Sequence, residues 1–148
     1  MKNLRKSDWD FIKNLRQNSR QTLTQISRKT KIPISTLYDK LKVHEKELIF
    51  RHASLIDFSK LGFNTKTQIY IKAPIEERNK IKCFLLNHES VNSLSILNNE
   101  YDYFVEGIFK HNIDARIFVE DLEERFNIKR KQIIFVAKDI RKEGFLAS

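Results

Sequence analysis

The stretch ISTLYDKLK, residues 34–42, sets hydroxyls, a phenol, a carboxylate and lysines among apolar residues at helical spacing. On a helix, Ile34, Leu37, Leu41 and His44 fall on one stripe, at i, i+3, i+7 and i+10. The opposite face then presents Ser35, Thr36, Asp39 and Lys42, with Tyr38 and Lys40 on its flanks. Such side chains can hydrogen-bond base edges, and lysines around them can neutralise phosphates. The chemistry on offer is recognition of double-stranded DNA. A three-helix bundle with a solvated polar face fits the same pattern, so both readings stand at this point.

Other chemistries find little to work with. The glycines Gly62, Gly107 and Gly144 lie too far apart to build a phosphate-cradling loop. His44, His52, His88 and His111 are scattered, without metal-ligand spacing, and no serine sits in a nucleophile elbow. We therefore expect no catalytic residue, no metal, no cofactor and no enzyme. The single cysteine, Cys83, cannot form an internal disulfide and suits a reducing compartment. Beside Phe84 on a helix, it is expected to be packed. No run of 18 apolar residues occurs, and the start MKNLRKSDWD lacks the apolar core of a signal peptide. The expectation is a cytoplasmic protein with no membrane partner.

The net charge of +9 is unevenly placed. Residues 1–60 hold 14 Lys and Arg against 6 Asp and Glu, and residues 61–148 hold 14 against 13. A basic segment joined to a nearly neutral one divides polyanion binding from some other task.

The elements that must position the residues 34–42 can be read on either side. Residues 7–18 place Trp9, Ile12 and Leu15 on one helical face with Phe11 beside them, and Ser7 or Asp8 is the expected N-cap. Trp9 and Phe11 are expected in the core. A short helix over 22–30 turns Leu23 and Ile26 inward, and Pro33 marks the start of a third over 34–46. His44 is expected at the boundary of the apolar stripe. Three helices with a tight turn before the last make a helix-turn-helix, whose last helix lies in the major groove. Leu48, Phe50, Leu55 and Phe58 suggest one or two short strands, a wing with Arg51 and His52 at its turn. Phosphate-contact candidates are Arg20, Arg28, Lys29, Lys31, Lys40 and Arg51.

Beyond Gly62, NTKTQIYIKA alternates as a half-buried strand does. Pro74 opens a helix with Ile81, Phe84 and Leu85 inward. VNSLSIL and DYFVEGIFKH read as a hairpin joined by NNEY. Asp114 is expected to cap a second helix carrying Ala115, Phe118, Val119, Leu122 and Phe126, which Asn127 ends in the left-handed region. KQIIFVAK is almost continuously apolar, as a central strand covered on both faces is. The order is βαββαβ, the ferredoxin-like arrangement, with helices on one face. Thr67, Ile69, Ile134 and Val136 cannot all point at one helix layer, so the second face is expected to meet a second copy in a homodimer.

Together the halves resemble the Lrp/AsnC family of prokaryotic transcription factors. The resemblance rests on DWDFIKNLRQNSR, QISRKTKIPISTLYDKLK, LIDFSKLGF and NNEYDYFVEGIFK, in that order along the whole chain. It implies an α+β chain: a winged helix-turn-helix over 1–50, a wing or linker strand over 51–63, and a ferredoxin-like (RAM) dimerisation domain over 64–148. It implies a DNA-binding regulator recognising inverted repeats as a dimer, tetramer or octamer, with an amino-acid effector in many members. An architectural protein with little sequence preference is the alternative. Effector contacts carried over by the resemblance are Asn98, Asn99, Tyr101 and Asp102. Four departures stand out: Lys31 replaces the usual glycine of the turn, Pro33 stands one residue earlier than the usual proline, Asp39 and Lys40 replace paired basic residues, and Asn98 or Asn99 replaces the glycine ahead of the Tyr-Asp pair.

Overall fold

The structure, a computed structural model, describes residues 4–98 and 100–147. It divides into two units: residues up to Leu55 together with those from Ile140 onward, and residues Ile56–Asp139.

The first unit holds three helices, α1 (Lys6–Gln17), α2 (Leu23–Thr30) and α3 (Ile34–Glu47). The N-cap of α1 is Arg5, whose backbone N–H donates to the Asp8 carboxylate at 2.9 Å, so Asp8 serves the first turn from inside the helix. Thr22 caps α2 reciprocally with Gln25, at 2.9 and 3.2 Å. Phe11, Ile26 and Leu37, one from each helix, are fully buried, and Leu15, Leu23, Ile32 and Leu41 close around them. Trp9 departs from expectation: one position along from the inward face, it is 42% exposed.

No wing forms among the described residues: 49–57 are neither helix nor strand, and Phe50 is 95% exposed. The apolar side chains there find no neighbouring strand to pair with, and a lone strand cannot satisfy its backbone. The last residues, expected within the C-terminal domain, group instead with the helices. Arg16 donates to the carbonyl oxygens of Glu143 and Phe145, both at 3.1 Å, and to the Glu143 carboxylate at 3.0 Å.

The second unit opens on a single 3₁₀ turn (Phe58–Leu61), closed by Gly62 at φ 86°, where a side chain would be strained. It continues as β1 (Thr65–Lys72), α4 (Arg78–Asn87), β2 (Val91–Ile96), β3 (Tyr103–Phe109), α5 (Asn112–Arg125) and β4 (Arg130–Phe135). The sheet runs β2-β3-β1-β4, antiparallel throughout, as a ferredoxin-like βαββαβ chain requires. Thr65, Thr67, Ile69 and Ile71 of β1 are buried beneath the helices with Val105, Ile81, Leu85, Phe118 and Leu122. Gly107 stands opposite Thr67, and a Cβ there would fall 2.4 Å from the Phe109 ring. Glycine is needed for that close approach.

Two details of this unit differ from the sequence expectation. The strand expected at the centre, β4, is the edge strand, with Ile134 and Phe135 about two-fifths exposed. Its apolar run reflects a second sheet face that α4 and α5 of the same unit do not cover, not burial on both sides. The end of α5 needs no left-handed residue, because the chain turns extended at Phe126 and the Asn127 N–H donates to Glu77 at 2.8 Å. The N-cap of that helix is His111, with Asp114 accepting its backbone N–H at 3.0 Å. Cys83, expected to be packed, is exposed, because it lies on the outer face of α4, two residues from the buried Ile81 and Leu85.

Candidate nucleic-acid interface

The tight turn between α2 and α3 is built from backbone chemistry. Lys31 ends α2 at φ 60°, ψ 20°, and its N–H donates to the Ser27 carbonyl at 2.8 Å. A lysine held in the left-handed region costs about 1 kcal/mol relative to glycine. Pro33, at φ −56°, pre-sets the chain for α3 and keeps Ile32 out of the helical region.

On α3, Ser35, Thr36, Tyr38, Asp39 and Lys42 are all exposed. Lys42 places its ammonium 4.5 Å from the centre of the Tyr38 ring. Arg20, Arg28, Lys29, Lys31 and Arg51 are exposed as well, and Lys29 is steadied by a 2.7 Å hydrogen bond to the Gln21 side chain. Arg51 lies in the unpaired segment after α3, not at the turn of a hairpin.

Lys40 does not belong to that outward face. Its ammonium donates to Asp8 at 2.5 Å, and its side chain is only 17% exposed. Four residues on along α3, His44 is buried with Nε2 3.2 Å from the same Asp8 oxygen, its ring stacked on Phe11. Asp8 thus ties α1 to α3 at two points one helical turn apart. Burial pushes the Asp8 carboxyl up; hydrogen bonds from Lys40 and the Arg5 backbone, the Lys40 charge and the His44 contact outweigh it and hold it below the usual carboxylate value. Lys40 is therefore corrected from a phosphate contact to a support of the helix, and His44 from a boundary residue to a core one. An apolar residue at either place would have left the buried Asp8 carboxylate one partner short.

In the second unit, Asp102 spends its carboxylate inside the fold. It accepts from the Ala73 N–H at 2.9 Å and from Arg78 at 2.7 Å, with Lys72 at 3.5 Å. These bonds fasten the start of β3 to the chain after β1. Tyr101 is buried, its ring 5.6 Å from that of Tyr70 and 5.4 Å from the Arg130 guanidinium. Asn98 is exposed, and Asn99 lies outside the described residues. Tyr103 donates its phenol proton to the Arg78 carbonyl at 2.9 Å; burial raises its pKa, which Asp102 adds to and Arg78 opposes.

No protein-family model matches the chain. It is 24% identical over 139 residues to an uncharacterised helix-turn-helix-type transcriptional regulator of Pyrococcus furiosus, covering 93% of each chain. Among solved structures, a transcriptional regulator of Neisseria meningitidis in complex with L-Met superposes with a TM-score of 0.86 at 21% identity, over 95% of this chain and 94% of that one. LrpC of B. subtilis gives 0.85 at 14% identity over 94% and 98%, and an AsnC family regulator of Agrobacterium tumefaciens gives 0.83 at 15% over 94% of each. The fold is that of the Lrp/AsnC regulators.

This chain reaches the Lrp/AsnC fold with Lys31 at the turn and with an internal acid, Asp8, holding the last helix. The residues that sequence reasoning missed are those of the support. One signal was present: Lys40 and His44, four apart on the inner edge of α3, both carry nitrogens that can hydrogen-bond a carboxylate, and Asp8 stands in the first turn of the helix they pack against.

Proposed function

We propose that this protein is a DNA-binding transcriptional regulator of the Lrp/AsnC type, acting as a dimer or larger oligomer and without catalytic activity. The observation that carries the reading is the outward face of α3: Ser35, Thr36, Tyr38, Asp39 and Lys42 are exposed together on the last helix of a helix-turn-helix. Side chains of these types read base edges, and the surrounding Arg20, Arg28, Lys29, Lys31 and Arg51 contact phosphates. The charge distribution supports the same division, with the excess of positive charge in the first sixty residues.

A second copy covers the open face of the sheet, where Tyr70, Phe104 and Ile108 are half-buried and Ile134 is exposed. Two-fold symmetry then requires an inverted repeat with half-sites about one helical turn, ~10 bp, or a multiple apart. Modulation by an amino acid, the ligand of the meningococcal neighbour, enters this reading through Asn98, Asn99, Tyr101 and Asp102, where a ligand's amino group would compete with Arg78 for Asp102. Nuclease footprinting on a bound operator tests the proposal. Protection in two halves related by a dyad is expected; a footprint without dyad symmetry contradicts it and points to an architectural protein.

A further inference from the structure

We infer that Asp39 selects a cytosine in each half of the bound site. This rests on the proposed placing of α3 in the major groove.

Asp39 is exposed, four residues after Ser35 and three before Lys42, so it stands near the middle of the outward face of α3. Each of the two nearby lysines is turned elsewhere. Lys40 points inward to Asp8, and Lys42 lies over the Tyr38 ring. Asp39 itself has no hydrogen bond or ion pair among the described residues. A free carboxylate is thus carried on a surface otherwise suited to polyanions.

Between two phosphate backbones an unneutralised carboxylate is repelled unless a base supplies a donor. The major groove has two exocyclic amines, cytosine N4 and adenine N6. Adenine N6 is flanked by the acceptor N7, which repels the second carboxylate oxygen. Cytosine N4 is flanked by a C–H, which does not. An aspartate therefore prefers cytosine, whereas an asparagine, with an N–H to offer N7, suits adenine. Asp39 opposes binding everywhere else and releases that opposition at one base, which makes it a determinant of specificity more than of affinity.

Selection of bound duplexes from a randomised pool, with the wild-type protein, Asp39→Ala and Asp39→Asn, tests this. The wild type should enrich one cytosine per half-site by roughly ten-fold or more over other bases. Asp39→Ala should lose that enrichment while binding non-specific DNA at least as tightly, and Asp39→Asn should move the preference to adenine. Thermal melting of the variants should stay at the wild-type value, because Asp39 makes no contact that folding needs. If Asp39→Ala selects the same sequence as the wild type and merely binds it more tightly, the carboxylate only repels and the inference fails alone. If the wild type binds DNA but selects no sequence, this inference and the reading as a specific regulator fail together.

Discussion

Asp8 joins α1 to α3 within the helical unit. It is nearly buried, yet it accepts from the Arg5 backbone, Lys40 and His44, so its charge is matched on every side. Asp8→Asn keeps the shape and removes the charge. It is expected to destabilise the unit by about 2–3 kcal/mol, read as a lowered midpoint in urea, because the ammonium of Lys40 loses its partner in a poorly hydrated place. The sign of the pH dependence follows from the depressed Asp8 pKa. Its stabilisation is fully present above the unfolded value of about 3.9 and is lost as pH falls through the lower folded value. The wild type should thus lose stability on acidification below about pH 4 through this group, and Asp8→Asn should show a shallower loss. Equal acid sensitivity in both would refute the role assigned to Asp8. Residues of this kind were half legible in the sequence. Leu37 and Ile26 announced themselves by spacing, whereas His44 read as a boundary residue because its partner is distant in sequence and on another helix.

At the scale of elements, the turn before α3 offers a separation of stability from binding. Lys31→Gly should raise the stability of the unit by about 1 kcal/mol, because glycine adopts φ 60° without strain. The same change removes an exposed charge, so the slope of log affinity against log salt should fall by about 0.9 if Lys31 neutralises one phosphate. A stabilised variant with an unchanged salt slope would remove Lys31 from the interface. Thermal melts and a salt titration on one preparation read both. Helices and strands were well forecast where side-chain periodicity or a turn residue marked them: Leu23 and Ile26 placed α2, Gly62 closed the turn before β1, and alternation fixed β1. The errors fell where an element's fate depends on a neighbour. The run over 131–138 is apolar as a central strand is, but position in the sheet is set by pairing, and it pairs on one side only. Residues 48–58 had the composition of strands and no strand to meet.

At the scale of the whole molecule, the sheet face away from α4 and α5 and the outward face of α3 are the two surfaces on which the proposed function rests. Sedimentation velocity at micromolar concentration should give a dimer or a larger species, and monomer alone would exclude the sheet-to-sheet assembly. Both units of the Lrp/AsnC fold were recognisable from four short segments in order along the chain, since each segment supports the others even though none is specific alone. The surroundings of Asp102 were the least legible, because what its carboxylate does depends on Arg78 and Lys72, which approach it only in the folded unit.

The central claim, that α3 reads a particular DNA sequence, is tested most directly by fluorescence anisotropy. The protein is titrated into the duplex upstream of its own coding region and into a scrambled duplex of equal composition, across a salt series. Binding to the upstream duplex tighter than to the scrambled one by ~10³ or more, persisting as salt rises, is the predicted result. Equal binding to both, falling steeply with salt, would contradict it and leave a protein that holds DNA by charge alone.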